Sequence, residues 1–475
     1  MSSDAAEPAI AHHPSELAPA AGAVGVRVRG DVERMAAARD VWRALWTSRL
    51  LVWVAGAGTI LALGPGPARH AFNPLGLTRG LGRVGDVLAA PAARWDGAWY
   101  LVIAHYGYRP ELGSLTASRT AFFPLYPLGV RGLADLGLAP VVAGVLLSVT
   151  ALAAALYGLH RLTTLEAVRL GLIDRREVAR LAVLLTALAP MAFYFSAVYS
   201  ESLYLALSVG VFLCARRGRW ASAAAFGALA SATRSTGVVL LVPMLLLYLY
   251  GPREDRAPER VGAGERLTLG AWPALARLTH SSRPRYRLRG DALWMVLVPV
   301  GLGLYMAHLA FAGGDALAPF HAEAAWSRHF AGPYGGMWEG AKAALEGLRQ
   351  LLSMQRTHVY FPAAGGSPFV DAGHNLFLFA FLLAALALTV GVLRMLPMAY
   401  GAYVLAALAL PLSYPVASQP LMSLPRFLVV LFPLNVWLAV RLATRSRALE
   451  QAVLAVSAVM MMFFVGEFST WHWVA

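Results

Sequence analysis

The stretch 137–160 decides the fold class, and it reads GLAPVVAGVLLSVTALAAALYGLH. A helix needs about twenty apolar residues to cross the hydrocarbon core of a bilayer, and this run supplies them. Ten further apolar stretches lie on either side of it: 45–64, 178–197, 201–215, 219–233, 236–250, 292–312, 375–393, 397–414, 424–441 and 449–467. The sequence therefore predicts an all-α, polytopic transmembrane protein with about eleven spans. The three stretches between 201 and 250 are short, so we expect broken or tilted helices there.

The composition agrees with a membrane protein. Hydrophobic residues make up 58% of the 475-residue chain, charged residues 14%, and the mean hydropathy is +0.58, whereas about a quarter of the residues of a soluble protein are charged. The net charge of +14 fits arginines at cytoplasmic helix ends, and we expect the lipid bilayer as partner and no nucleic acid. Cys214 is the single cysteine, which excludes a disulfide framework and a thiol metal site.

The arginines orient the chain. Residues 1–43 contain no cleavable signal pattern and are predicted to form a disordered cytoplasmic tail, followed by a membrane domain over 44–475. With the tail inside, the arginine-rich connections all fall on the cytoplasmic side, as the positive-inside bias requires: 161–180, 216–219, the loop 251–291, Arg394 and 441–447. The loops 65–136 and 313–374 are then external.

Polar motifs from separate connections fall on the external face of this topology. They are Arg94-Trp95-Asp96, Tyr199-Ser200-Glu201-Ser202, Thr233-Arg234-Ser235, Gly314-Asp315, Trp326-Ser327-Arg328-His329 and Ser423-Leu424-Pro425-Arg426-Phe427. A shared external site explains this convergence more simply than chance does.

Two carboxylates stand out among these motifs. Asp96 lies between Trp95 and Trp99, which suits an interfacial aromatic belt, but a carboxylate gains nothing from apolar neighbours unless it is paired or used. Arg94 is near enough in sequence to pair with it, and Tyr100 shares its helix face. Glu201 either follows an N-capping Ser200 at a helix start or acts in a functional site at the membrane edge. The residues alone leave both alternatives open.

Arginines on the same face suggest phosphate recognition. Arg234 and Arg426 lie at the external ends of spans, where they are either snorkelling side chains or a clamp, because the planar guanidinium group binds phosphate through two donors. Arg328 belongs to a weaker set with Trp326. The lone histidines, His105 among them, and the acids have no convincing metal spacing, so no metal or cofactor is expected.

These motifs resemble the PIG-V family, which contains GPI mannosyltransferase II and bacterial relatives within the GT-C superfamily of membrane glycosyltransferases. The resemblance rests on blocks in family order between about residues 90 and 430: Arg94-Trp95-Asp96 with Tyr100, His105-Tyr106-Gly107-Tyr108, Ala121-Phe122-Phe123-Pro124-Leu125-Tyr126-Pro127, Tyr199-Ser200-Glu201-Ser202-Leu203, Ala232-Thr233-Arg234-Ser235 and Ser423-Leu424-Pro425-Arg426. It does not cover 1–40 or 251–291.

The resemblance implies a reaction and a set of roles. Mannose, or a similar hexose, would move with inversion from a polyprenyl-phosphate donor to a glycan, glycolipid or protein acceptor on the non-cytoplasmic face, at the plasma membrane if the chain is bacterial. Asp96 matches the acidic general base of the first external loop, with Glu201 as a second, orienting acid. The expected substrate-binding residues are Arg94, Tyr100, His105, Tyr126, Arg234, Trp326, Arg328 and Arg426.

Two other classes remain as alternatives. A transporter or flippase of a lipid-linked sugar also needs many spans and arginine clamps, but transporters place ionisable groups near the bilayer midplane. A non-catalytic membrane scaffold would not need an acid and several arginines on one face.

Overall fold

The computed structural model of the chain describes residues 18–66, 72–109, 118–259, 284–354, 367–417 and 419–474, with side chains from residue 31 onward. Across these ranges the secondary structure consists of helices, with one isolated antiparallel bridge between Arg328 and Val416 and no strands. The predicted all-α membrane fold class is confirmed. The cytoplasmic loop predicted at 251–291 falls largely on residues 260–283, outside the described ranges.

Eighteen α-helices occur in the described residues. In chain order they are α1 (Ala18–Leu63), α2 (Leu75–Thr78), α3 (Gly82–Ala89), α4 (Asp96–Tyr106), α5 (Leu125–Asp135), α6 (Pro140–Arg169), α7 (Arg175–Ala187), α8 (Glu201–Arg216) and α9 (Trp220–Ser231). They continue with α10 (Leu241–Tyr250), α11 (Val300–Gly313), α12 (Ala318–His321), α13 (Gly335–Ser353), α14 (Pro368–Met395), α15 (Met398–Ser413), α16 (Leu424–Val429), α17 (Phe432–Ala443) and α18 (Arg447–Ser469).

Five helical segments in the described part of the chain are long and apolar enough to cross a bilayer: Asp31–Leu63, Pro140–Arg169, Gly290–Gly313, Pro368–Met395 and Arg447–Ser469. Four more are apolar but shorter: Trp220–Ser231, Ser235–Tyr250, Met398–Ser413 and Phe432–Ala443. The predicted count of about eleven spans stays a prediction. Between 201 and 250 the helices are short, and a 3₁₀ segment, Ser235–Leu240, precedes α10.

Helix α1 begins well before the first predicted span. It starts at Ala18, so from residue 18 to 43 the structure has a helix where the sequence predicted a disordered tail. The run Ala36-Ala37-Ala38 gives this segment strong helix formers, and Asp40 is held by Arg176 of α7. Residues 1–17 lie outside the described part.

Helix α6 is the centre of the bundle. Its Leu152, Leu156 and Leu159 are fully buried, because α7, α8, α1 and α5 all pack around it. Gly144 of α6 has no side chain, and Val198 packs closely against it. A Cβ at this position would lie 2.8 Å from Cγ1 of Val198. Tight packing of small residues is typical of helices in lipid.

One end of the bundle collects the arginines and is called the basic end. Its buried centre is Glu166, which accepts hydrogen bonds from Arg216 (2.6 Å), Arg169 (2.8 Å) and the hydroxyl of Tyr400 (2.8 Å). Two further cross-helix pairs lie in the same layer: Arg176 with Asp40 at 2.9 Å and Arg180 with Glu450 at 2.8 Å. These contacts tie the ends of α1, α6, α7, α8 and α18 together.

A different arginine is buried without a carboxylate partner. Arg49 lies in the middle of α1 with none of its surface exposed. Its guanidinium donates to the carbonyl oxygens of Ala187 (3.0 Å) and Ala192 (2.8 Å) and to Oγ of Ser196 (2.5 Å). Carbonyls at the C-terminal end of a helix carry partial negative charge, so the end of α7 and the following 3₁₀ turn satisfy this cation.

The opposite end of the bundle, called the cavity end, is formed by segments that the sequence leaves far apart. The N-terminal ends of α4 and α8 meet the residues after α9, α15 and α18 there, and all of them line one cavity. The short helix α16 and the segment 318–328 complete its wall. The fold thus separates a layer of ion pairs at one end from an open chamber at the other.

Candidate active site

The cavity has a volume of about 340 Å³ and a mixed polar and apolar lining. Its charged members are Asp96, Glu201, Arg234, Glu323, Arg328 and Arg426. Its aromatic members are Tyr100, Phe122, Phe123, Tyr204, Phe320, Trp326, Tyr414, Phe427 and Trp473. The lining contains three acids and three arginines, so its formal charge sums to zero, and aromatic rings occupy much of the remaining wall.

Asp96 is the first residue of α4, where the helix dipole favours a negative charge. The turn that presents it is strained, because Trp95 has φ 54, a value that L-residues rarely adopt. The 3₁₀ helix Ala90–Ala93 leads into this turn, and two hydrogen bonds hold the segment in place. The amide of Val198 donates to Ala92 O at 2.8 Å, and the hydroxyl of Tyr199 donates to Arg94 O at 3.0 Å. The position of Asp96 is therefore fixed by the segment that leads into α8.

Arg426 connects the two predicted acids. Its Nη1 donates to Oδ2 of Asp96 at 2.5 Å, and its Nε lies 3.4 Å from Oε1 of Glu201. The guanidinium also lies over the rings of Tyr199, at 5.5 Å, and Phe427, at 5.4 Å. Arg426 sits on α16, which follows a left-handed residue, Ser423 (φ 68). A cation placed between two carboxylates offsets their mutual repulsion.

Glu201 is nearly inaccessible, with its side chain 2% exposed. Oε1 accepts a hydrogen bond from Nη1 of Arg234 at 3.1 Å, while Oε2 is buried without a partner among the described residues. Ser200 occupies the N-cap position of α8, as one alternative had it, but its side chain makes no capping hydrogen bond, and its Oγ lies 2.9 Å from the hydroxyl of Tyr100. Burial raises the pKa of Tyr100 to about 12, so this phenol stays protonated.

Among the described residues, Arg234 forms fewer ion pairs than Arg426. In the described part of the chain its one ion pair is with Glu201, and its ring contacts are to Tyr204 at 5.8 Å and Phe427 at 5.1 Å. Among the described residues its Nε and Nη2 make no hydrogen bond, and the side chain is 14% exposed to the cavity. The guanidinium therefore keeps donors available for an anionic ligand.

The opposite wall is formed by the segment 318–328. Trp326 meets Phe122 edge to face at 6.3 Å, and Nε of Arg328 lies 3.1 Å from Oε2 of Glu323. Partial desolvation in the cavity wall raises the pKa of Glu323, although Arg328 opposes the shift. The sequence singled out Trp326 and Arg328 but missed Glu323, which stands three positions before Trp326, one helical turn away.

Three predicted substrate-binding residues lie outside the cavity lining. Arg94 stacks on Trp471 at 4.3 Å and does not pair with Asp96. Tyr126 is fully buried and donates to Gly144 O at 2.9 Å, which joins α5 to α6. His105 is exposed at the end of α4, beside Tyr106. The cavity brings together the other seven predicted residues: Asp96, Tyr100, Glu201, Arg234, Trp326, Arg328 and Arg426.

Other lining residues gave no signal in the sequence. Trp473 follows the last helix, and Tyr204 and Tyr414 look like ordinary residues of apolar spans. Among the described residues, no group of three or more His, Cys, Asp and Glu side chains is arranged to hold a metal ion. The functional groups that line the cavity are mainly carboxylates, guanidinium groups and aromatic rings.

Comparison with known proteins gives two matches. Residues 43–248 match the family model described as Mannosyltransferase (PIG-V). A curated relative, GPI alpha-1,6-mannosyltransferase 2 of Rattus norvegicus, is 32% identical over 183 residues, which is 36% of this chain and 36% of the rat protein. No solved structure matches the chain. The resemblance to the PIG-V family is thus confirmed for a region that contains Asp96, Glu201 and Arg234 and ends before Glu323, Arg328 and Arg426.

Proposed function

We propose that this chain, whose residues 43–248 match the PIG-V mannosyltransferases, is an inverting membrane mannosyltransferase with a polyprenyl-phosphate-linked donor. The observation that carries the proposal is the cavity in which Asp96, Arg426, Glu201 and Arg234 form one continuous chain of ion pairs. It offers a base for an acceptor hydroxyl and a cation for a leaving phosphate in the same chamber. The donor and the acceptor act on the non-cytoplasmic face in this proposal.

Asp96 is the proposed general base. Oδ2 accepts a hydrogen bond from Arg426, whereas Oδ1 makes no hydrogen bond among the described residues, and Asp96 lines the cavity. As the acceptor oxygen bonds to C1 of the mannosyl group, its proton passes to Oδ1. The bond from C1 to the phosphate oxygen breaks, and its electron pair leaves with the phosphate. A carboxylate within hydrogen-bond reach of the hydroxyl contributes about 10²- to 10⁴-fold to such a step.

Arg234 is the proposed phosphate ligand. The leaving phosphate gains charge as its bond to the sugar breaks, and a preplaced guanidinium stabilises that charge without reorganisation. Arg234 retains free donors, whereas Arg426 already serves two carboxylates. We assign Arg426 and Glu201 to a positioning role, in which Glu201 holds both arginines and Arg426 holds Asp96. This refines the expectation that both arginines bind phosphate.

The apolar part of the cavity suits the lipid of the donor. Leu410, Pro411 and Tyr414 at the end of α15 lie beside Val430 and Leu431 after α16. Leu410 and Tyr414 are 36% and 44% exposed, so this wall offers accessible apolar surface. An isoprenoid chain can follow it from the bilayer, since apolar surface is favourable for apolar ligands.

The test replaces the proposed base. Asp96→Asn should lower mannose transfer from labelled polyprenyl-phosphate mannose by at least about a hundredfold, because the amide cannot accept the proton. The measurement is label incorporated by membranes that contain equal amounts of inserted protein. Asp135→Asn is the matched control, since its carboxylate is 71% exposed and lies outside the cavity. Full transfer by Asp96→Asn would refute the assignment, and transfer absent from the wild type would refute the function.

A further inference from the structure

A second charged pair in the cavity is left unused by the proposed reaction. Glu323 and Arg328 lie on the segment 318–328, outside the residues matched by the family model. The Glu323 side chain is 43% exposed, and its Oε1 makes no hydrogen bond among the described residues. Oε2 faces Arg328 at 3.1 Å. This pair therefore presents one free carboxylate oxygen to the cavity beside a cation that neutralises it.

The pair is held in place by backbone contacts. Residues 327–334, called the strap, run antiparallel to 413–417, with the amide of His329 donating to Pro415 O at 3.1 Å and the amide of Ala417 donating to Ser327 O at 3.2 Å. Nη1 of Arg328 donates to Tyr414 O at 2.9 Å. A guanidinium that is anchored on both sides cannot swing to a phosphate, so it is preorganised for a fixed ligand at the wall.

The chemistry of this wall fits a neutral sugar. The carboxylate of Glu323 accepts hydrogen bonds from hydroxyl groups, Arg328 donates them, and Trp326, which lines the same cavity, offers an apolar ring. Phosphate is disfavoured here, because the Glu323 carboxylate would lie against it without a free cation to compensate. A hexose carries adjacent hydroxyl groups and an apolar C–H face, so it satisfies all three side chains.

We propose that Glu323, Arg328 and Trp326 form a subsite for the acceptor sugar, separate from the Arg234 region that takes the phosphate. This inference rests on the proposed function and names the acceptor as a hexose-bearing molecule. Glu323, Trp326 and Arg328 line the same cavity as Asp96, so the proposed subsite shares its chamber with the base. The acceptor hydroxyl must reach Asp96, whereas the leaving phosphate must reach Arg234.

The kinetic test separates acceptor binding from donor binding. Membranes carrying wild type or Glu323→Gln receive labelled polyprenyl-phosphate mannose and graded amounts of the acceptors extracted from the same membranes. In Glu323→Gln we expect the acceptor concentration for half-maximal transfer to rise about tenfold, which is the effect of a lost hydrogen bond to a charged group. The donor concentration for half-maximal transfer should change less than about twofold. Glu339→Gln on α13, outside the cavity lining, should match the wild type.

A second measurement needs no turnover. The thermal unfolding temperature of the purified protein in detergent is recorded with graded methyl α-D-mannopyranoside, and we expect a rise in wild type and Glu339→Gln but none in Glu323→Gln. The subsite would be refuted if Glu323→Gln left the acceptor concentration for half-maximal transfer unchanged, or if it raised the donor concentration for half-maximal transfer by the same factor. Wild-type membranes without transfer would refute the proposed function, and the unfolding measurement would still decide for or against a sugar site at Glu323.

Discussion

At the scale of single residues, the two arginines of the ion-pair chain differ in how many of their N–H donors remain available for a ligand. Among the described residues, Arg426 pairs with the carboxylates of both Asp96 and Glu201, whereas Arg234 pairs with the carboxylate of Glu201 alone. A lysine keeps the charge of either one but presents a single point of contact in place of a planar fork. The same substitution should therefore have different effects at the two positions.

Arg234→Lys should raise the donor concentration for half-maximal transfer about tenfold, the effect of losing one hydrogen bond to a charged group, and leave the thermal unfolding temperature near that of the wild type. Arg426→Lys should lower the maximal rate and the unfolding temperature together, because one ammonium group cannot reach both carboxylates. Transfer kinetics and thermal unfolding in detergent check this. Identical effects of the two substitutions would contradict the division of roles.

Residue types and topology were enough to place seven of the ten predicted site residues around one cavity. Asp96 and Arg426, for example, were both assigned to one membrane face from the arginine distribution. The sequence could not tell which face of its element a side chain occupies, so Tyr126 was predicted to bind substrate although it is fully buried between α5 and α6. Glu323 was missed because no local pattern distinguishes it from a solvent-exposed acid.

At the scale of elements, the 3₁₀ segment Ser235–Leu240 carries Arg234 at its start and lies backbone to backbone against α9. A Cβ on Gly237 would lie 2.2 Å from the carbonyl carbon of Ala230. Only a residue without a side chain allows this approach. The position of the proposed phosphate ligand thus depends on a glycine three residues away.

Gly237→Ala should lower the free energy of unfolding by about 1–3 kcal/mol, typical of overpacking a close contact, and should raise the donor concentration needed for half-maximal transfer. Thermal unfolding and transfer kinetics are measured on the same preparation. Gly303→Ala in α11 is the control, because its Cβ would meet nothing within 4 Å and alanine favours the helix. A Gly237→Ala protein as stable and active as the control would show that the contact has no such role.

Element boundaries followed the apolar runs where those runs were long. The predicted spans 137–160, 375–393 and 449–467 correspond to α6, α14 and α18, each somewhat extended. The predicted span 178–197 divides into α7 and a 3₁₀ turn, Ala192–Ser196. Pro190 lies at that break, and proline ends a helix because it lacks an N–H and disfavours the α conformation in the residue before it. Arg49 then donates to the carbonyl oxygens of Ala187 and Ala192 on either side of the break, a tertiary contact that the sequence did not predict.

At the scale of the whole molecule, the two ends of the bundle predict an orientation. The basic end should face the cytoplasm and the cavity end should face outward, since arginine-rich connections stay inside. Helix α6 connects the two ends, and it is flanked by Leu136 on one side and Ile173 on the other, which are 82% and 101% exposed. Both positions are accessible to a reagent added from the correct side.

Cysteine labelling checks this orientation. In a Cys214→Ser background, Leu136→Cys should react with a membrane-impermeant maleimide in intact cells, whereas Ile173→Cys should react only after the membrane is permeabilised. Both should react equally in detergent, which controls for accessibility. Labelling of Ile173→Cys in intact cells, with Leu136→Cys protected, would invert the proposed topology and place the cavity in the cytoplasm.

The buried Arg49 has a consequence for how the protein is made. Its partners Ala187, Ala192 and Ser196 follow it by 138, 143 and 147 residues. Until these partners have been synthesised, α1 has to enter the bilayer while Arg49 lacks their hydrogen bonds. A cation at the membrane centre costs about 2.5–3.5 kcal/mol. We therefore expect docking of α7 and the following turn to stabilise α1 in the bilayer, because these segments supply the acceptors of Arg49.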